Sequence, residues 1–187
     1  MTYENLFQDA QSGENPPLMK PKASSAWKEL LMLLLKITVF ITAVILVFTF
    51  VFGIFQNIDP SMAPSVNDGD MVMYFRWDKT YRAQDTLVLT YEGEKQVRRV
   101  VATAGDVVEI TENRLIVNGA TQQESNIYFS TYRYESTGVE FPLTVPEDHV
   151  FVLGDYREDA TDSRVYGTVA VKDTLGKVMA ILRRRQI

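Results

Sequence analysis

Residues 37–55 read ITVFITAVILVFTFVFGIF, 19 consecutive residues without a charge. At about 1.5 Å rise per residue, a helix of that length covers roughly 28 Å, close to the ~30 Å hydrocarbon core of a bilayer. Leu30 to Leu35 extend the run behind Lys36. Core helices of soluble proteins rarely run so far without charge. A cleaved secretory signal would be shorter and end in small residues, whereas this run lies well inside the chain and ends on Phe52-Gly53-Ile54-Phe55. It therefore predicts an uncleaved transmembrane anchor over 28–56.

The flanks predict orientation. Lys20, Lys22, Lys28 and Lys36 precede or open the run, while Gln56, Asn57, Ile58 and Asp59 follow it. Positive flanks stay in the cytoplasm. The expected arrangement is a cytoplasmic tail over 1–27, a single span in the cell membrane, and an extracytoplasmic domain over 57–187, with the lipid bilayer as one partner. Residues 1–24 are polar and rich in Asn, Gln, Ser and Pro, a composition that predicts a mobile tail.

After residue 58 the pattern changes to short β-branched and aromatic runs. They are Met71 to Phe75, Thr86 to Tyr91, Gln96 to Ala102, Val107 to Ile110, Leu115 to Val117, Val150 to Leu153 and Leu175 to Leu182. Turn residues separate them, including Thr103-Ala104-Gly105-Asp106 and Asn118-Gly119. The expected fold class is mostly β: one N-terminal transmembrane helix followed by an antiparallel sheet or barrel. Residues 120–145, with Tyr128, Phe129, Tyr132 and Tyr134, read as an insertion or extended hairpin. The tyrosines of the 128–134 stretch are expected at the membrane interface or over the core. Arg183-Arg184-Arg185 reads as a solvated chain end.

There are no cysteines and one histidine, His149. That excludes a cysteine nucleophile, a thiolate metal site and a histidine metal cluster. No cofactor, metal or nucleic-acid partner is expected.

Three stretches carry chemistry. Asp59-Pro60-Ser61-Met62-Ala63-Pro64-Ser65 follows the span directly, placing a hydroxyl and an apolar side chain where a lipid-embedded substrate would emerge. Next come Arg98-Arg99-Val100-Val101 with Ala104-Gly105-Asp106. Last are Gly154-Asp155-Tyr156-Arg157 and Asp162-Ser163-Arg164-Val165-Tyr166-Gly167. In this order behind one span, they resemble the three conserved boxes of bacterial type I signal peptidases. The resemblance covers the anchor and nearly all of residues 56–182. It implies a serine endopeptidase that removes signal peptides from exported precursors, added to a strand edge by main-chain hydrogen bonds. It makes Ser61 the nucleophile, in one box with Met62 and Pro64, and makes Asp155, Asp162, Ser163 and Arg164 supports of the site.

The chain departs from that pattern at the general base. A buried lysine sheds its proton because desolvation lowers its pKa, but the family's lysine position holds Arg98, and a guanidinium stays protonated. The serine that hydrogen-bonds the lysine is replaced by Ala160, and an asparagine by Tyr156. Asp59 stands where some members place an oxyanion donor. Lys95, three residues from Arg98 on an extended strand, faces the other side, and His149 reads as structural. Asp59 could share a face with Ser61 and act as base if the segment is extended. Relatives of this family act in surface-pilus assembly, and some lack the catalytic pair. The alternative expectation is therefore a non-catalytic assembly factor or chaperone that binds pilin subunits or other exported segments.

Overall fold

The computed structural model describes residues 23–124, 127–134 and 138–183. Residues 1–22 of the expected tail, and Arg184 and Arg185, lie outside the described residues. The chain divides into two units, residues 1–43 and 44–187.

Helix α1 (Ala23–Val51) is the described part of the first unit and enters the second. It starts inside the stretch expected as tail. Its residues 26–51 are long and apolar enough to cross a membrane, and none of the span is buried. Such a helix has to satisfy its own polar groups. Thr38 and Thr49 do so by donating to the carbonyls of Leu34 and Ile45, at 2.9 and 2.7 Å.

The helix stops at Val51, five residues short of the anchor boundary expected from the uncharged run. Phe52–Gln56 is instead strand β1, paired antiparallel with β2 (Met71–Phe75) from Phe52↔Phe75 to Gln56↔Met71. A short apolar run that continues a helix suits either state, so pairing decides. Gly53 permits it: a Cβ there would lie 2.1 Å from the Tyr74 ring.

The remaining strands are β3 (Thr86–Tyr91), β4 (Glu94–Thr103), β5 (Val107–Thr111), β6 (Arg114–Val117), β7 (Ala120–Thr121), β8 (Leu143–Thr144), β9 (His149–Leu153), β10 (Val169–Ala170) and β11 (Thr174–Leu182), with one short helix, α2 (Ser163–Tyr166). A seven-stranded sheet runs β1-β2-β11-β3-β4-β9-β10 and a four-stranded sheet runs β7-β6-β5-β8. Every pairing is antiparallel. The mostly-β expectation therefore holds. The two tight turns form where the turn residues stand: Asn118 has φ 53° before Gly119, and Asp106 accepts the Thr103 N–H at 2.8 Å.

Two packing clusters matter for the site. Met62 and Val66 join Val72, Tyr74, Val88 and Val97, which fastens the segment after β1 onto the large sheet. The buried Asn57 ties down the same segment by donating to the carbonyls of Asp59 and Asn67, at 2.7 and 3.2 Å. Val101, Ala102, Phe151 and Leu153 of β4 and β9 pack with Val108, Ile110, Leu115 and Val117 of the small sheet.

Candidate active site

Ser61 sits in a 3-10 turn, Pro60–Met62. Proline opens such a turn at no hydrogen-bond cost, since its first amides have no internal partner. Asp59 caps it: its Oδ1 accepts the Ser61 N–H at 2.8 Å. Met62 is buried in the core, which drives the neighbouring Ser61 to a nearly closed position, 6% exposed. Pro64 follows across a cis Ala63–Pro64 bond. The Ser61 Oγ donates to the Asp159 carbonyl at 3.2 Å, and the Ser61 carbonyl accepts the Tyr156 N–H at 2.9 Å. The first and third boxes are therefore bonded to each other across Ser61.

Gly154 makes that approach possible. A Cβ there would lie 2.5 Å from the Ala160 Cβ and 2.7 Å from the Ser61 carbonyl oxygen. Gly154→Ala should overpack this seam and destabilise the domain by about 1–3 kcal/mol. A lowered thermal midpoint would register the effect.

Arg98 lies on β4 opposite Leu87 and is 1% exposed. Its Nη1 donates to Asp59 Oδ2 at 2.6 Å, and its Nε and Nη2 donate to the Thr161 carbonyl at 3.0 and 2.8 Å. Asp59 thus divides its carboxylate between Ser61 and Arg98. Burial pushes the Asp59 carboxyl up, but the Arg98 charge and the Ser61 bonds outweigh it and hold the group below its ordinary 3.8. A carboxyl lowered on folding adds stability that is complete above its unfolded value and lost as pH falls through its folded one. Unfolding free energy measured against pH should therefore drop below pH 3.8, and the drop should be shallower in Asp59→Asn.

Neither Lys95 nor His149 joins the serine. Lys95 Nζ lies over the Phe55 ring, 5.4 Å from its centroid. His149 Nδ1 is bonded to the Glu147 carbonyl at 2.8 Å, within its own turn. Burial pushes the Tyr166 phenol upward despite the nearby Arg98 charge, so it stays protonated at working pH.

The third box is braced by charge. Asp162 and Arg164 are both fully buried and pair at 2.8 Å, and Asp162 also accepts the Gly154 N–H at 3.0 Å. The Ser163 Oγ accepts the Val152 N–H at 3.0 Å, tying α2 to β9. Asp155 takes a bidentate fork from Arg99, at 2.7 and 2.5 Å, and Arg99 also reaches the Ser65 Oγ at 3.3 Å. Arg157 donates to the Gly154 carbonyl, Thr131 and Glu124. Arg164 reaches the Tyr132 carbonyl and stacks 4.5 Å over the Tyr134 ring, while Phe129 meets Tyr156 edge-on. Phe129 and Tyr134 of the irregular stretch thus cover the third box, whereas Tyr128 is exposed. Sequence reasoning assigned no role to Arg99 or Arg157. The tandem Arg98-Arg99 on a strand was the available signal, because adjacent strand residues point to opposite faces and so serve two different partners.

Residues 28–183 match the family described as signal peptidase, peptidase S26, and the chain belongs to that family. Among its relatives, Signal peptidase IB of Staphylococcus aureus is 29% identical over 168 residues, spanning 81% of this chain and 88% of the relative. Signal peptidase I S of Bacillus subtilis is 26% identical over 155 residues, spanning 78% and 84%. A crystal structure of a signal peptidase I from Enterococcus faecalis is 25% identical, with a TM-score of 0.48, and covers 54% of this chain and 97% of that one.

Proposed function

We propose that this chain is a membrane-anchored member of its family that captures exported precursors by their signal peptides beside Ser61, with the serine–lysine proton transfer blocked. The observation that carries the reading is Arg98. Attack by a serine hydroxyl needs a base to take its proton. A guanidinium has no lone pair to offer and does not deprotonate in proteins. Arg98 is moreover held in place by Asp59 and the Thr161 carbonyl, and Ser61 spends its proton on a main-chain carbonyl. The lysines before the anchor support an extracytoplasmic position for the β unit. Pilin subunits are one class of exported precursor such a protein would hold.

One observation favours a second reading. Ser61 stands on a constrained turn among all three boxes, with Asp59 the only carboxylate bonded to its backbone among the described residues, which suits signal-peptide cleavage. The full-length protein in detergent, mixed with a fluorescent signal-peptide substrate, separates the two. The expected result is saturable binding without cleavage, equal in Ser61→Ala. Cleavage by the native chain that disappears in Ser61→Ala would replace the first reading with the second.

A further inference from the structure

We propose that Asp59 is a second lock on Ser61, coupled to the first: one carboxylate occupies the oxyanion donor and also holds the cation at the base position. The inference rests on the reading that proton transfer is blocked, and it adds a positioning residue that works through Ser61 and Arg98.

Acylation by a serine has two requirements. As Oγ bonds to the scissile carbonyl carbon, its proton must pass to a base, which later returns it to the leaving amine. The carbonyl π pair moves onto oxygen, and that oxyanion needs aimed N–H donors, commonly including the nucleophile's own amide. Here the Ser61 N–H already serves Asp59 Oδ1 at 2.8 Å, so a developing oxyanion would meet a full negative charge instead of a donor. Asp59 is not free to swing aside. Its other oxygen is bound to Arg98 at 2.6 Å, Asn57 holds its backbone carbonyl at 2.7 Å, and Pro60 stiffens the chain after it.

The coupling has a consequence. Arg98→Lys alone puts a shorter cation beside the same carboxylate. That carboxylate favours the charged amine, and the Ser61 amide stays capped. Asp59→Ala alone opens the amide but leaves the guanidinium. Only the double substitution supplies both a base and a donor, so the effects should be strongly non-additive.

The experiment measures cleavage of a signal-peptide substrate by the full-length native protein, Arg98→Lys, Asp59→Ala, the double variant and Arg98→Lys/Asp59→Asn. The asparagine keeps the shape of the site, guarding against a folding failure, and its carbonyl oxygen still caps the amide. The expected result is background cleavage in the native protein and both single variants. The double variant should cleave at least ~100-fold faster, the usual scale of a general base, with a rate that rises with pH as the introduced lysine deprotonates. The asparagine pair should fall between. Arg98→Lys matching the double variant would overturn the lock, and so would a folded, peptide-binding double variant at background. Cleavage by the native chain would instead sink the reading of a blocked proton transfer, an outcome visible before any variant is compared.

Discussion

Asp162→Ala should lose about 3–5 kcal/mol of folding stability, the range for removing one partner of a buried ion pair. Both partners are fully buried, and Asp162 takes the Arg164 Nε at 2.9 Å and Nη2 at 2.8 Å. The same carboxylate accepts the Arg164 N–H that starts α2 and the Gly154 N–H. Alanine removes the charge facing Arg164, the helix cap and the acceptor for a buried amide together. A capping loss alone costs about 1 kcal/mol, so a drop confined to that size in urea denaturation would mean the ion pair contributes nothing. Asp162→Asn should lie between, because its amide keeps an acceptor without the charge. Gly154 lies against Ser61, so the loss should also reach the site: signal-peptide binding should weaken in parallel with stability.

Arg157→Ala should be nearly as severe, about 3 kcal/mol, because it strips the partner from Glu124, whose side chain is only 8% exposed. Its guanidinium joins three separate stretches: the Gly154 carbonyl, Thr131 and Glu124. The effect should be local as well as global. Amide hydrogen exchange should quicken at Gln122 and Thr131, whose N–H groups bond the Leu115 and Asn113 carbonyls, before it quickens in β3 or β4. Arg157→Lys should not rescue it, since one ammonium lacks the fork that spans three acceptors. Uniform protection across the domain would show that Arg157 holds no separate unit together.

Much of the architecture is local in origin and so was legible. The apolar run needs only its length and lack of charge to be read as a span, and the strands after residue 58 needed only their β-branched content and the turns between them. The end of the helix was not legible. Phe52 to Phe55 satisfies a helix and a strand equally, and the register with Met71–Phe75 plus the contact of Gly53 with Tyr74 settled it. The three boxes singled out Ser61, Asp155, Asp162 and Arg164 as candidates because each lies inside a short contiguous pattern. Their partners lie elsewhere in the chain: Arg99 for Asp155, and Glu124 and Thr131 for Arg157.

The chemistry at Arg98 is divided in the same way. A guanidinium is a poor base in any surroundings, so the residue type alone argues against Arg98 as a proton acceptor. What Arg98 does instead depends on a neighbour 39 residues away in sequence, delivered by the pairing of β3 with β4 and by the turn that Met62 anchors in the core. Sequence alone determined that there is a long apolar helix, seven of the eleven strands of the described residues and the place of the boxes, because helical length, strand periodicity and turn chemistry act between near neighbours. Only the tertiary structure decided that Asp59 faces both Ser61 and Arg98, because a carboxylate's partners are set by which distant segments the sheet brings within 3 Å of it.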